Sequence, residues 1–564
     1  MKNTDVFKDF DMVVSITEKT INDQLTHLLR MGTIHPELII TQELDDDTGE
    51  YKFKVYDSPD DIPRNAQGEP ELATIDVEIH PQVTINSSGE IITFILKFVG
   101  GNVWFWKGQG PKAKLVQYDA TDWQYAVAIN MDLKQLQKDD LAKGIKVPGF
   151  VEDQLNNFMT NMFDINHLFM NFQSTDLMKF DPDKTKAGAA KDLGVEQLVI
   201  FMNFYLKWLT STGNPFILGY SITQNDGTKI PDEEKVPDSI KPTGTTYTMF
   251  HDNTYQHLST LNFALVTKGG YKTIKTSVDK FETNWISPDD QCDAKMIYAA
   301  SRFSEEFILK PLYERLRDQT YEKIKNDVSV GPQKEYNEAK QATTTGYKFV
   351  ISDWNRDTDI YQNAFEVNIS NHPTEIHYDV KGSLFVYKRH EKDMVVCTAR
   401  ASAEARTEWS AKFIIRVAKD KDGQPTLEFD QSCTVDKYEP SNSQNTCADI
   451  WDGIGDILSF LTSIFSFLGL NLSSMLQDIF KTQVPGLGNI AIALGNMNDS
   501  FNSAVMLPAG GVFFFKNPVA DTPGNVALSL TYKTDSQVEV ESRKFAQKLA
   551  ELRSRRKVNL VSVS

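Results

Sequence analysis

The sequence has few cysteines, and they are widely spaced. Only four occur among 564 residues, at Cys292, Cys397, Cys433 and Cys447. A disulfide framework or a zinc site needs more cysteines in closer groups, so this spacing argues against both. Cys433 and Cys447 could pair, but we expect free thiols.

Local signatures of catalysis are also missing. The chain contains no Gly-x-Ser-x-Gly elbow, no Walker A loop, no Gly-x-Gly-x-x-Gly after a strand and no His-Glu-x-x-His. Its nine histidines are scattered, and the closest pair, His251 and His257, does not share a helical face. We therefore predict a non-enzymatic protein with no catalytic residues, no metal site and no cofactor.

Excess positive charge and an apolar leader are lacking as well. The formal net charge of −18 argues against nucleic acid as a partner, because phosphate binding depends on excess Lys and Arg. It also argues against adsorption of the protein body to anionic membranes.

The start of the chain, MKNTDVFKDFDMVV, carries acids where a signal peptide would be basic and then apolar. We expect cytoplasmic synthesis and, if the protein is released, a route other than Sec.

What the chain does contain is a pattern of helices and long strands. With 40% hydrophobic and 24% charged residues it has the composition of a globular protein of several domains. An amphipathic helix is predicted to end near Arg30, with Ile21 and Leu25 on its apolar face. Ser15 and Glu18 are expected to form the capping box of that helix.

Period-two alternation follows this helix and predicts an antiparallel meander. Its strands are expected at 74–79, 91–99, 103–107 and 123–129. Gly100-Gly101 is expected to be the turn between the second and third of these strands. Helical spacing returns over 150–172 and again over 195–208.

The same order of elements recurs after a boundary at 285–293. An amphipathic helix is predicted over 301–325. Long strands are then predicted at 347–352, 365–369, 375–380, 384–389, 407–417, 426–434, 511–516 and 525–532. The pattern predicts an α+β fold of two related, elongated lobes, 1–286 and 294–535, followed by a tail over 536–564.

An uncharged run, 457–476, interrupts the strands of the second lobe. Its apolar residues recur at helical spacing, while its other face is small and hydroxylic. Such a helix could span a membrane, lie in a hydrophobic groove or be wrapped by sheet. Its seven Ser, Thr and Gly residues and Asn471 lower its hydrophobicity, so we predict no transmembrane span. The candidates for lining a lipid groove are Ile457, Phe460, Leu461, Ile464, Phe465, Phe467 and Leu468.

The tail contains a basic amphipathic segment, 542–557. Such a segment can bind anionic lipid, but folding back on the acidic body, or remaining a solvated end, is the favoured interpretation. The candidates for contact with a membrane surface are Arg553, Arg555, Arg556 and Lys557.

Several short stretches resemble a known family. They are GNPFILGY at 213–220, KPTGT at 241–245, LSTLNF at 258–263 and LPAGGVFFFKN at 507–517. Their succession is similar to the OrfX and P-forty-seven proteins encoded beside clostridial neurotoxins. The resemblance implies the tubular lipid-binding (TULIP) fold, in which a long antiparallel sheet curls around a long helix. It also implies binding of phosphoinositide or another lipid, and partners among toxins or paralogous proteins. No catalytic residues come with it.

Three functions are therefore open. The first is a non-enzymatic accessory protein of a toxin that binds lipid or a membrane surface, or assembles with a toxin or sister proteins. The second is a structural, complex-forming scaffold whose lobes are filled by side chains and hold no lipid. The third is a membrane-inserting toxin that uses 457–476, which has about the length needed to span a bilayer.

Overall fold

In a computed structural model, most of the residues that are described lie in antiparallel β-sheet. The described residues are 6–135, 163–170, 180–211, 217–224, 238–270, 281–318, 339–448, 505–506, 512–520 and 524–533, apart from short gaps at 8, 31, 33, 46, 88–90, 109, 315, 357–358 and 420–424. The antiparallel sheets predicted from period-two alternation are confirmed. Within the described residues helices are few, and long amphipathic helices enclosed by sheet are not shown.

Twenty-one strands and three helices, besides short 3-10 turns, make up the described chain. The strands are β1 (Met12–Thr17), β2 (Glu37–Leu44), β3 (Tyr51–Val55), β4 (Ala73–Ile85), β5 (Ile91–Lys107), β6 (Lys114–Asp119), β7 (Gln124–Gln135), β8 (Phe163–Met170), β9 (Ile217–Gln224), β10 (Pro242–Phe250), β11 (Thr260–Thr267), β12 (Ala294–Tyr298), β13 (Ala339–Ala342), β14 (Gly346–Arg356), β15 (Asp359–His372), β16 (Glu375–Asp393), β17 (Thr398–Lys419), β18 (Pro425–Gln444), β19 (Val505–Met506), β20 (Val512–Ala520) and β21 (Val526–Lys533). The helices are α1 (Glu18–Arg30), α2 (Lys191–Ser211) and α3, whose π-helical start (Ser301–Leu309) continues as α-helix over 310–314 and 316–318.

A nine-stranded sheet contains most of the first half of the chain. Its order is β19-β9-β8-β7-β5-β4-β2-β3, and β6 pairs with β5. Helix α1 lies on this sheet, where Asn22 exchanges two hydrogen bonds of 2.8 and 3.0 Å with the backbone of Val83. The predicted apolar face of α1 is confirmed, since Ile21 and Leu25 are fully buried. The helix ends at Arg30 as expected.

Helix α2 packs against strands β3 and β5 and completes an aromatic core. Phe201 lies 5.2 Å from Phe53 and 5.8 Å from Phe105, measured between ring centroids. The amide of Gln197 bonds both the N–H and the C=O of Trp106 in β5, at 3.0 and 2.9 Å. These contacts fill the space between helix and sheet with large side chains.

A central six-stranded sheet joins the beginning of the chain to its later parts. Its order is β10-β11-β1-β12-β21-β20, so β1 pairs with β11 on one side and with β12 on the other. A buried ion pair lies beside this junction. The Asp11 carboxylate accepts a hydrogen bond from the N–H of Thr267 at 2.7 Å, and Arg302 of α3 lies 4.0 Å from that carboxylate. Arg302 also donates hydrogen bonds to Thr267 Oγ1 and to Lys268 O.

The third sheet is a six-stranded meander, β13 to β18 in chain order. Its strands are long, and β16 and β17 pair over their whole common length from Glu375↔Arg416 to Asp393↔Thr398. The sequence predicted two strands at 375–380 and 384–389, whereas β16 is one strand that passes through Gly382. A Cβ atom at Gly382 would lie 2.0 Å from the ring of Trp409, so only glycine lets that ring cross the strand.

Three predictions of local structure were wrong. Residues 163–170 form β8 rather than helix, because pairing with β7 and β9 satisfies the backbone on both sides. Gly100-Gly101 is not a turn but lies inside β5, next to a bulge at Val99, and Gly101 has φ 109° with its Cβ position 2.3 Å from Asp76 O. The cap of α1 is Thr17, whose Oγ1 accepts from Thr20 N at 3.1 Å, because Ser15 bonds Asn262 instead.

Candidate functional site

The inner face of the meander changes character along its length. Near the central sheet it is filled by aromatic and branched side chains that belong to the main core, including Phe365, Tyr378 and Phe413. Phe349 stacks on Phe365 at 4.8 Å, and Trp409 closes this filled half by lying across Gly382. Beyond Trp409, β17 contributes only small side chains to this face.

We call the part beyond Trp409 the distal wall. Its residues lie on one face because directly opposed residues of antiparallel strands share a face, as in the pairs Leu384↔Thr407 and Val386↔Ala405. All are buried, with at most 4% of each residue exposed. The distal wall consists of Tyr361, Asn363, Leu384, Val386, Ala401, Ala403, Ala405 and Thr407.

The distal wall is separate from the main core. Its aliphatic members, such as Leu384, Val386 and Ala403, do not belong to the contiguous apolar cluster that joins the three sheets in the described part of the chain. The opposite face of the same strands is polar, with Glu404 half-buried and Arg406 exposed. Burial in this half of the meander is therefore one-sided.

One polar group on the distal wall lacks a partner. Thr407 is fully buried, and its Oγ1 has no hydrogen-bond partner among the described residues. A buried hydroxyl without a partner is uncommon, because leaving it unpaired costs roughly 1–3 kcal/mol. By contrast, Asn363 donates to the hydroxyl of Tyr361 at 3.3 Å. Thr407 lies beside Trp409 at the inner end of the alanines.

Basic residues follow the alanines towards the end of the hairpin. Lys388, His390 and Lys392 oppose Ala403, Ala401 and Ala399, and so share the face of the distal wall. Lys388 is half-buried, while His390 and Lys392 are exposed. The face thus passes from a buried hydroxyl through aliphatic side chains to a cationic rim, which is the polarity of a site for an amphiphile with an anionic head.

The turn that joins β16 to β17 exposes two aliphatic side chains. Val395 is 105% and Val396 91% exposed, the highest values among the large hydrophobic residues described. The turn is closed by a hydrogen bond of 2.9 Å from Met394 N to Cys397 O. We call residues 394–397 the hairpin tip.

A disulfide and an asparagine hold the base of the hairpin tip. Cys397 is bonded to Cys447, with 6.3 Å between their Cα atoms. Asn445 accepts from Arg400 N at 3.0 Å and donates to Thr398 O at 2.9 Å. The expectation of free thiols is thus wrong for this pair, and so is the alternative pairing of Cys433 with Cys447, because strand pairing brings Cys397 to Cys447 instead.

The two remaining cysteines, Cys292 and Cys433, are free. Burial raises the pKa of each thiol to about 11, so both stay protonated near neutral pH.

A pair of stacked histidines, His372 and His377, lies 3.7 Å apart by ring centroids at the β15–β16 turn, and His377 bonds Glu375 at 2.6 Å. Across the described residues, no three His, Cys, Asp or Glu side chains come together as metal ligands.

The site residues predicted from sequence lie outside the described residues. This holds for the seven groove candidates between Ile457 and Leu468 and for the four surface candidates between Arg553 and Lys557. Both sets stay predictions. Among the helices that the structure describes, none combines the length and the apolar character needed to cross a bilayer.

Sequence reasoning missed the distal wall and the hairpin tip. A signal for the wall was present in the alternation of alanine with polar residues at 399–405, but alanine contributes little to a hydrophobic pattern. The tip was visible as three adjacent apolar residues, 394–396, directly after the charged residues Lys392 and Asp393. Their exposure depends on the turn, which the sequence pattern does not specify.

Comparison with known proteins gives distant structural matches only. No family model matches the chain, and no curated protein matches it. Among the solved structures that match is P47 from Clostridium botulinum A2, at 9% identity and TM-score 0.39 over 93% of this chain and 98% of that one. Two others are lipopolysaccharide binding protein, at 7% identity and TM-score 0.27 over 93% and 99%, and Takeout 1 of Epiphyas postvittana, at 9% and 0.13 over 32% and 93%. With TM-scores below 0.5, these similarities do not establish a function for this chain.

Proposed function

We propose that this protein is a non-enzymatic lipid-binding protein whose distal wall holds an acyl chain. The observation that carries the proposal is the distal wall itself, a buried row of small aliphatic residues between the unpaired hydroxyl of Thr407 and the cations Lys388 and Lys392. An acyl chain would lie along the alanines, and its polar end would meet the cationic rim. The groove candidates Ile457 to Leu468 remain proposed as additional lining.

Purified protein tests the proposal directly. Native mass spectrometry and extraction of the purified protein are expected to show a co-purifying lipid. Ala403→Trp puts a large ring on the distal wall, so it is expected to displace that lipid. Ser402→Trp is the matched control, because the neighbouring residue on a strand faces the other side of the sheet. Lipid-free wild-type protein would refute the proposal.

The same variants separate lipid binding from a filled scaffold, the second function considered. If side chains fill the space over the distal wall, Ala403→Trp overpacks it and costs about 1–3 kcal/mol in the free energy of unfolding. If lipid fills the space, the ring replaces lipid and stability changes little. Ala403→Leu repeats the comparison with a smaller side chain in case the tryptophan variant does not fold.

A role beside a toxin is the second part of the proposal. It is supported by the sequence resemblance at 213–220 and 507–517, and a pull-down from the native producer tests it. The expected result is a co-purifying toxin or paralogous protein; an isolated monomer would remove this part while leaving lipid binding open. The Cys397–Cys447 disulfide supports action outside a reducing cytoplasm, since disulfides persist in oxidising surroundings.

A further inference from the structure

We propose that the hairpin tip is the surface by which this protein docks on a lipid bilayer, with Val395 and Val396 entering the acyl boundary. The inference deepens the proposed function and rests on it, because a wall that holds lipid needs a place where lipid is exchanged with a membrane. The sequence pattern did not predict the hairpin tip as a contact surface.

Exposure is the first argument. Soluble proteins tolerate single exposed aliphatic residues, but two adjacent valines, both at least 91% exposed, present apolar surface at one point. Met394, beside them, packs against Ala399 and Ala448 instead. Met394 therefore anchors the turn, whereas Val395 and Val396 project into solvent.

Position is the second argument. Strand β15 stops pairing with β16 at Asp359↔Lys388, whereas β16 and β17 continue to Asp393↔Thr398. At about 3.3 Å per residue, the hairpin extends roughly 17 Å beyond the end of β15. The two valines thus lie at the end of a projecting element, where a flat bilayer can reach them.

Charge is the third argument. The whole chain has a net charge of −18 and is repelled by an anionic surface. Around the tip the balance is reversed, with four cations against two acids in 388–400. These are Lys388, Arg389, Lys392 and Arg400 against Glu391 and Asp393. Cations behind exposed aliphatic residues suit the anionic headgroups above the acyl boundary, so the same hairpin would orient the protein.

Rigidity is the fourth argument. The disulfide Cys397–Cys447 joins the tip to the chain after β18, and Thr398 Oγ1 bonds Asp393 at 2.8 Å across the base of the turn. Glu391 pairs with Arg389 and with Arg400, the latter at 3.2 Å. A turn held in this way keeps its valines exposed and loses little conformational freedom when it enters a membrane.

Co-sedimentation of the full chain with vesicles tests the inference. We expect the wild type to bind vesicles of phosphatidylcholine with phosphatidylserine more tightly than phosphatidylcholine alone. Val395→Asp combined with Val396→Asp is expected to weaken binding roughly tenfold or more, because two apolar side chains no longer leave water. Val395→Leu with Val396→Leu is expected to strengthen it, an effect that a purely structural turn would not produce.

The matched control is Val99→Asp with Val519→Asp, which places the same two charges at half-exposed valines on β5 and β20, 44% and 46% exposed. It is expected to bind like the wild type. Lys392→Gln is expected to reduce only the preference for phosphatidylserine, and added salt should do the same. Circular dichroism verifies that each variant is folded.

Two results would overturn the inference. One is wild-type protein that stays in the supernatant with every vesicle composition. The other is a double aspartate variant that binds as the wild type does. If lipid co-purifies but vesicles are not bound, docking by the hairpin tip is refuted and lipid binding on the distal wall is retained. If lipid-free protein binds vesicles through the tip, docking is retained and lipid binding on the distal wall is refuted.

Discussion

The nine-stranded sheet and the six-stranded meander bury one face each, but they bury it in different ways. On the nine-stranded sheet, helices α1 and α2 place Leu25 and Phe201 against long strands, and aromatic rings fill the interior. On the distal wall, alanines and the unpaired Thr407 hydroxyl take their place. Unpaired hydroxyls do not distinguish the two regions, because Thr41 on the nine-stranded sheet is also fully buried without a partner. Equal burial is reached with different side-chain sizes.

The largest expected effect concerns the junction on which both regions depend. Arg302→Ala leaves the buried carboxylate of Asp11 without its cation, so we expect a loss of about 3–5 kcal/mol in the free energy of unfolding. Denaturant unfolding measures it. Lys310→Ala, which removes the exposed ion pair with Glu306, is the control and should cost well under 1 kcal/mol. An equally small loss for Arg302→Ala would show that the central sheet does not couple the two regions.

The same substitution in both regions tests the comparison most directly. Leu25 and Leu384 are equally buried, yet Leu25→Ala should cost about 3 kcal/mol and Leu384→Ala about 2 kcal/mol, because flexible lipid closes a cavity better than a packed helix does. Thermal unfolding of the two variants gives the difference. A larger loss at Leu384 would indicate a solid interior over the distal wall.

Removal of the disulfide tests how far the hairpin tip stiffens the meander. Cys397→Ser with Cys447→Ser opens a loop of 50 residues, and we expect a loss of about 2 kcal/mol, at the low end of the usual range because β18 stays paired. Treatment of the wild type with reductant should reproduce the loss, and the variant should not respond. Equal stability with and without reductant would contradict the expectation.

The smallest effect is a change of pH dependence in the nine-stranded region. Burial raises the pKa of Glu18 above 4.5, although its carboxylate accepts from Ile85 N and from Gln256. The folded protein thus holds this proton more tightly than the unfolded chain, so the associated stability is present below pH 4.5 and is lost as pH rises through the folded pKa. Unfolding curves at several pH values should show that Glu18→Gln lacks this loss, whereas the exposed Glu50→Gln retains it.

Amphipathic period was sufficient to predict some of the fold. Helix α1 ends at Arg30 with Ile21 buried, as its spacing indicates, and residues 195–208 lie within α2. The strands of the meander also follow period-two alternation. These elements were predictable because a single buried face determines each of them.

Other elements depend on partners far away in the sequence. Residues 163–170 have helical spacing, but pairing with two strands makes them β8. Ser15 has the spacing of a cap, yet Asn262, 247 residues later, takes its hydroxyl. The candidate site was missed for the same reason, since Ala403 and Thr407 become a wall only where β16 and β17 pair beyond Trp409. The predicted groove helix, 457–476, stays a prediction.

The central sheet has a consequence for biosynthesis. Strand β1 lies near the start of the chain, but its partners are β11 and β12, and β12 in turn pairs with β21 at Ala294↔Leu530. A ribosome must therefore complete almost the whole chain before this sheet can close. Strand β1 can pair on both sides once residue 298 has been made, but the outer edge of β12 stays unpaired until β21 follows. Pairings across such distances form slowly. The order of synthesis makes the nascent chain, rather than the finished protein, the state most exposed to misassembly.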